Sequence, residues 1–151
     1  MESPFQKLER ILAAYTVSIR YQPLPKEVDY TNCELLKPVL NDSIVVPDTN
    51  IADPLELATV CASQYPHTIP CILVPGSRFD IYGTRHGRGM GWYDRFLAEV
   101  PANWLRIGVA DIAQLSPTVL VRRTWDEPMD WIIAWRNDGS WIVYETHARH
   151  S

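Results

Sequence analysis

The sequence predicts a three-layer α/β fold with a mainly parallel sheet, and three observations support this prediction. Short apolar runs alternate along the chain with segments that carry helix-capping signals, which is the pattern of an α/β protein. A loop rich in glycine and arginine follows one apolar run and precedes a helix, as phosphate loops at strand ends do. Two apolar runs near the C terminus flank residues 136–139, Arg-Asn-Asp-Gly, which predicts an antiparallel hairpin.

Length and composition indicate a single globular domain over residues 1–151. The 151 residues are 46% hydrophobic, which is enough to bury one core. A formal net charge of -4 and a pI near 5.5 argue against a general nucleic-acid surface. No apolar run approaches the length of a membrane span, and no signal peptide is recognisable. The three cysteines lack metal-ligand spacing, so we expect a reduced, cytoplasmic protein.

The first helix is predicted to begin at Pro4. Ser3 occupies the capping position and Gln6 completes a capping box. Apolar residues expected to face the core follow at helical spacing: Phe5, Leu8, Leu12 and Tyr15. Lys7 and Arg10 lie on another part of the helix surface, where solvation is the simpler interpretation.

The following segment is predicted to be mostly irregular. Residues 21–30 contain two prolines and indicate an extended connection. Thr31 and Glu34 have the spacing of a second capping box, which predicts a short helix toward Leu40. The apolar residues 44–46, followed by proline, predict a strand.

A further helix and a buried strand lead to the glycine-rich loop. Asp53 caps a helix that begins at Pro54, and its expected buried positions are Leu55, Ala58 and Cys61 or Ala62. Residues 72–74 form a brief apolar run stopped by proline and glycine, which predicts a strand. Asp80 and Gly83 then suit the first and last positions of a type I turn.

The loop that follows has the chemistry of an anion site. Arg85 and Arg88 stand among the alternating glycines Gly87, Gly89 and Gly91, immediately before a helix, where backbone without Cβ atoms can approach an anion. The spacing matches neither GxGxxG nor GxxxxGK[ST], so neither a Rossmann fingerprint nor a P-loop is indicated. The forked arginines can reach the outer oxygens of a polyphosphate. The alternative is an ordinary connecting loop with two solvent-exposed arginines and no ligand.

The C-terminal third is predicted to complete the sheet. Residues 106–110 predict another parallel strand, and residues 131–135 and 140–145 predict the two strands of the hairpin. Two-residue periodicity places three apolar side chains on one face of the hairpin: Trp131, Ile133 and Trp135. This face can stack a ring, although packing against a helix or a partner subunit is favoured.

Residues 75–97, PGSRFDIYGTRHGRGMGWYDRFL, resemble the signature of 5-formyltetrahydrofolate cyclo-ligases, also called methenyltetrahydrofolate synthetases. That signature reads roughly PGxxFDxxGxRLGxGxGYYDRxL. The resemblance continues through IGVADIAQLSP, where Gln114 falls on a family glutamine, and through WDEPMDWII, where Asp126 and Asp130 fall on recurrent aspartates. It covers roughly the second half of a chain shorter than usual members. The pattern is broken at four positions: His86, Met90, Trp92 and Trp125.

The resemblance implies an ATP- and magnesium-dependent ligase that converts 5-formyltetrahydrofolate to 5,10-methenyltetrahydrofolate. It implies catalytic phosphate clamps at Arg85 and Arg88, nucleotide contacts at Gly87, Gly89, Met90, Gly91, Lys7 and Arg10, reduced-folate contacts at Trp92 and Tyr93, and a magnesium ligand at Asp94. We expect residues 83–91 to lie beyond the C-terminal end of the strand at 72–74, where open α/β sheets bind ligands.

Two alternatives to this enzyme remain open in the sequence. One is a shortened, non-catalytic homologue that binds nucleotide or folate as a regulatory or interaction module, which the loss of a phosphate-facing cation at Met90 favours. The other is an enzyme for a different small phosphorylated substrate. A homodimer joined through the tryptophan-bearing hairpin is also expected, because a neighbouring subunit can supply the basic residues that a short N terminus lacks.

Overall fold

A six-stranded sheet forms the centre of the computed structural model of the protein, which describes residues 1–25 and 27–149. Its strands are β1 (Val17–Tyr21), β2 (Asp42–Val46), β3 (Cys71–Val74), β6 (Leu105–Asp111), β7 (Trp131–Trp135) and β8 (Trp141–Glu145). A separate two-stranded ribbon contains β4 (Arg78–Phe79) and β5 (Arg85–His86). The order across the large sheet is β2-β1-β3-β6-β7-β8. All neighbouring strands of this sheet are parallel except β7 and β8, which confirms the predicted C-terminal hairpin.

Helices cover both faces of the sheet. They are α1 (Pro4–Leu12), α2 (Lys37–Leu40), α3 (Pro54–Gln64) and α4 (Trp92–Glu99), with 3₁₀ turns at Tyr30–Asn32, Glu34–Leu36 and Ile112–Gln114. Within residues 1–25 and 27–149, none of these helices is both long and apolar enough to cross a bilayer.

Two hydrophobic clusters confirm the three-layer arrangement. Cys71 and Leu73 of β3 pack in one cluster with residues of α1 and α2, whereas Ile72 and Val74 pack in the other with residues of α3 and α4. Successive side chains of a strand point to opposite faces, so a continuously buried strand such as β3 must be covered on both sides.

The first helix also determines what covers the hairpin. Its capping box forms as predicted, and Leu8 and Leu12 are fully buried, although Phe5 is exposed rather than in the core. Leu8 and Leu12 share a cluster with Trp131 and Ile133 of β7. The expected packing of this face against a helix is therefore confirmed. Trp131 and Ile133 are thus covered within one subunit, whereas Trp135 is partly exposed, and the expected homodimer stays a prediction.

The segment after α1 differs from the prediction in two ways. Residues 21–30 are not wholly an extended connection, because Tyr21 is the last residue of β1, which pairs with both β2 and β3. Instead of a capping box between Thr31 and Glu34, Asp29 accepts a hydrogen bond from the Thr31 amide at 2.9 Å and caps a 3₁₀ turn. Pro38 has no amide hydrogen to donate, which disfavours one continuous helix toward Leu40.

The third helix agrees with its local signals except at one position. Asp53 caps it by accepting a hydrogen bond from the Leu55 amide, and Ala58 and Cys61 are buried as predicted. Leu55 is 47% exposed and does not belong to the core. The helix thus presents its buried side to α4 through its second and third turns.

Candidate functional site

A cavity of about 630 Å³ opens at the topological switch point of the sheet. From β1 the chain passes to β2 on one side, whereas β3 leads to β6 and β7 on the other. Open α/β sheets bind ligands in the crevice where the loops from such strands diverge. Tyr21 at the end of β1, Val46 at the end of β2 and Pro75 after β3 all line the cavity.

The glycine-rich loop forms one wall of this cavity. Its lining members are Arg85, Gly87, Arg88, Gly89, Met90 and Gly91. The expected position beyond β3 is confirmed for these residues. It is wrong for Gly83, because Gly83 packs beneath other elements, where its carbonyl accepts a hydrogen bond from the Met129 amide at 2.8 Å.

Arg85 is a buried cation at the wall of the cavity. It is 5% exposed, and its Nε donates to the Pro75 carbonyl at 2.5 Å. Its guanidinium carbon lies 5.2 Å from the centre of the Tyr93 ring, and its Nη1 lies 3.9 Å from Asp94 Oδ1. Burial lowers the pKa of Arg85, and the charge of Asp94 opposes that shift. This environment fixes the guanidinium in place while leaving it at the cavity wall.

Arg88 is placed quite differently, although it lies only three residues further along the loop. Its side chain is 49% exposed, and its Nη1 lies 3.8 Å from Glu27 Oε2. Gly89, the next residue, and Gly91, further along the loop, have φ angles of 134° and 67°, a region that L side chains rarely adopt. Met90 projects into solvent at 86% exposure. The outer part of the loop is therefore held by few contacts.

One carboxylate lies close to the Arg85 guanidinium, and the charge of a second acts on it. Asp94 Oδ1 accepts a hydrogen bond from the Glu127 amide at 3.0 Å, and burial is the main cause that raises the pKa of Asp94. The charge of Asp126 acts on both Asp94 and Arg85. Within the described residues no group of three metal-ligating side chains occurs. Magnesium, however, often takes only one or two carboxylates together with phosphate oxygens and water. Asp94 and Asp126 have the chemistry that such an ion prefers, although neither residue is among those that line the cavity.

Trp92 and Tyr93 each contribute only part of their surface to the cavity. Both side chains are largely buried and both line its wall. Trp92 Nε1 donates to the Ala52 carbonyl at 2.9 Å, and the Trp92 ring stacks on Phe96. Burial raises the pKa of Tyr93, whose ring supports Arg85. The two rings are core residues with an edge available to a ligand, and their contact with folate stays a prediction.

Lys7 and Arg10 do not reach the cavity. Lys7 Nζ lies 2.6 Å from Glu145 Oε2 on β8, and Arg10 Nε lies 2.9 Å from Glu2 Oε2. Their helix α1 packs against β8, the edge strand remote from β1 and β3. The docking of α1 on β8 directs both side chains away from the cavity, so the structure adds no support for the expected nucleotide contact, which stays a prediction.

Several cavity residues were not predicted from the sequence. They come from the loops after β1 and β2, and they include Gln22, Leu24, Glu27, Pro47, Asp48, Thr49 and Asn50. Recognising β1 as a parallel strand would have indicated them, since the carboxyl ends of neighbouring parallel strands meet at one edge. Glu27 also lines an adjoining cavity of about 470 Å³ that contains Asp29, Asp111, Gln114 and Trp135.

The fold and the site together define an α/β protein with a glycine- and arginine-rich loop at a topological switch point. Residues 19–134 match the 5-formyltetrahydrofolate cyclo-ligase family. This match covers more than half of the 151 residues, and the chain belongs to that family. The match begins within β1, so the expectation that the resemblance is confined to the second half is wrong.

Solved structures of two methenyltetrahydrofolate synthetases share the fold. The 5,10-methenyltetrahydrofolate synthetase from Aquifex aeolicus is 24% identical with a TM-score of 0.56, over 98% of this chain and 84% of its own. The enzyme of the same name from Mycoplasma pneumoniae is 24% identical with a TM-score of 0.55, over 85% of this chain and 80% of its own. No curated protein sequence is significantly similar to the chain.

Proposed function

We propose that the protein catalyses the ATP-dependent conversion of 5-formyltetrahydrofolate to 5,10-methenyltetrahydrofolate. The observation that carries this proposal is the buried Arg85 at the wall of a cavity at the switch point, within a chain of the cyclo-ligase family. A cation kept out of bulk water in a fixed geometry interacts strongly with a polyphosphate. The glycines beside it let backbone N–H groups approach the same oxygens.

The reaction requires positioned charge more than a nucleophilic side chain. The formyl oxygen attacks the γ-phosphorus of ATP and ADP leaves, and the N10 nitrogen of the folate then attacks the activated carbon and expels phosphate to form the methenyl bridge. In phosphoryl transfer the protein chiefly aligns the reactants and neutralises developing charge. The mechanism therefore does not require a Ser/His/Asp or Cys/His constellation.

Each arginine has a distinct part in this mechanism. Arg85 neutralises charge from a fixed position, because Pro75 and Tyr93 hold its guanidinium. Arg88 lies on the exposed part of the loop, where its side chain can move to stay in contact with the phosphate oxygens. Asp94 and Asp126 would hold magnesium, which supplies charge neutralisation between phosphate oxygens when bound. The ring edges of Trp92 and Tyr93 line the side of the cavity where a folate ring can pack.

A direct assay tests this function. Purified protein is incubated with ATP, magnesium and 5-formyltetrahydrofolate, and the methenyl product is followed by its near-UV absorbance. We expect product formation that depends on ATP. Measurable nucleotide binding without product at high protein concentration would instead support the non-catalytic binding module, which the solvent-exposed Met90 in place of a phosphate-facing cation favours.

A further inference from the structure

Glu27 places a carboxylate directly opposite one of the two loop arginines. Its side chain is only 11% exposed, and its Oε2 lies 3.8 Å from Arg88 Nη1. Its Oε1 accepts a hydrogen bond from the Leu24 amide at 3.0 Å. The carboxylate is thus held by the loop after β1, while its arginine partner comes from the Gly/Arg loop across the cavity.

The residues on which the Glu27 charge acts also line this cavity. Its negative charge acts on the hydroxyl groups of both Tyr21 and Tyr93, and these two residues line the same cavity. A buried carboxylate on the wall of a polyanion site opposes the polyanion unless a cation balances it. Arg88 is the cation that faces it.

We propose that Glu27 is a competing counter-ion that holds Arg88 across the cavity and that a polyphosphate must displace it to bind. This inference rests on the polyphosphate binding in the proposed function, and it adds a residue that limits affinity. The contact is long for an ion pair and half of Arg88 is exposed, so it is weak enough to be broken by a multiply charged ligand. Arg85 differs in this respect, since its contacts come from Pro75, Tyr93 and Asp94 on its own side of the cavity.

Calorimetric titration with inorganic triphosphate tests this competition without requiring turnover. The four proteins are the unmodified chain, Glu27→Gln, Arg88→Ala and the double variant. We expect Glu27→Gln to bind triphosphate about two- to fivefold more tightly at low salt, the range of a partly exposed ion pair. The gain should shrink at about 0.5 M salt because the pair is screened. In the Arg88→Ala background only the general repulsion by the carboxylate remains, so Glu27→Gln should give a clearly smaller gain in affinity than it gives with Arg88 present.

Asp48→Asn provides the matched control for simple charge repulsion. Asp48 also lines the cavity, and asparagine can keep its capping bond to the Asn50 amide. Its effect on the dissociation constant should be the same with and without the Arg88→Ala substitution. An effect of Glu27→Gln that is equally large with and without Arg88 would reduce Glu27 to the same general repulsion and overturn the inference.

The remaining outcomes separate this inference from the proposed function. Equal or weaker triphosphate binding by Glu27→Gln, with clear binding by the unmodified chain, overturns the competition and leaves the proposed function standing. If neither triphosphate nor ATP binds to any of the four proteins, both the inference and the proposed function are overturned.

Discussion

The Gly/Arg loop has an inner half, residues 85–87, and an outer half, residues 88–91, and the arginines of the two halves differ in burial and contacts. Arg85 is buried, bonded to Pro75 and stacked on Tyr93, whereas Arg88 is half exposed and meets one carboxylate across the cavity. The inner half is part of the core. The backbone of the outer half has positive φ angles at Gly89 and Gly91, and a Cβ added at either glycine would meet no described atom within 4 Å.

The difference shows how one short loop can combine preorganisation with adaptability. A cation fixed before the ligand arrives costs no reorganisation during the reaction. A second cation on a loosely held segment can follow a phosphate group as its charge is redistributed. The two arginines should therefore respond differently to the same substitution.

The largest effect is expected for Arg85→Ala. This change should abolish detectable ligase activity and lower the free energy of unfolding by about 3 kcal/mol, because it leaves the Asp94 carboxylate without its buried partner. Denaturant unfolding and the absorbance assay measure the two effects. Unchanged unfolding would contradict the assignment of Arg85 to the core, and Arg85→Lys serves as the variant that keeps the charge but loses the fork.

Arg88→Ala should separate function from stability. We expect the rate to fall roughly 10²-fold or more, since one donor to developing charge is removed. The free energy of unfolding should change by less than about 0.5 kcal/mol, as for ordinary surface positions. A lower melting temperature together with unchanged nucleotide binding would show that this arginine is structural and that the loop's outer half is not adaptable.

Asp94→Asn tests the metal contact behind the inner half. Asparagine can still accept the hydrogen bond from the Glu127 amide, but it weakens a magnesium site that relies on carboxylates. The activity defect should therefore shrink as magnesium is raised, which a titration of initial rate against magnesium measures. A defect that stays constant at all magnesium concentrations would assign Asp94 only to the support of Arg85.

The same variant should also change how stability depends on pH. Burial raises the pKa of Asp94 above its ordinary value of 3.8, so the folded chain keeps this proton at a pH where the unfolded chain has lost it. The stabilising contribution is complete below the ordinary value and is lost as pH rises through the raised value. Unfolding measured at several pH values should show that Asp94→Asn lacks this decline, and parallel curves would contradict it.

Local signals account for most of what the sequence predicts correctly, and long-range contacts account for most of what it misses. The caps at Ser3 and Asp53 formed as predicted because each involves neighbours within three residues. Strand β1 was missed because Ser18 and Arg20 interrupt its apolar run, although Ser18 is buried. The pairing of Glu27 with Arg88 joins two loops that only the sheet order brings together.

A long-range contact also explains why Lys7 lies away from the cavity. A helical surface can be predicted from spacing, but the element that it packs against depends on the whole sheet. Here α1 lies against β8, and Glu145 of that strand takes the lysine. The family was predicted better than the contacts because the loop signature is contiguous in the sequence, whereas the opposite cavity wall comes from residues between Tyr21 and Asn50.

The smallest effects should come from single methyl groups added to each half of the loop. A Cβ at Gly87 would lie 3.1 Å from Arg85 Nη2, and the buried guanidinium has little room to yield. A Cβ at Gly89 would meet nothing within 4 Å, although its φ of 134° disfavours alanine. Gly87→Ala should therefore lower the free energy of unfolding by about 1 kcal/mol, in the lower range for overpacking. Gly89→Ala should leave it within about 0.5 kcal/mol, because an exposed loop can relax.

Triphosphate affinity distinguishes these two substitutions further. Relaxation of the backbone at Gly89 moves the neighbouring Arg88 and the N–H groups beside it, so Gly89→Ala should weaken binding by a few fold while the core stays intact. Gly87→Ala should weaken binding and stability together, because both depend on the same guanidinium. If Gly89→Ala also destabilised the fold, the outer half would be packed more firmly than its open surroundings indicate, and the contrast between the two arginines would be one of exposure alone.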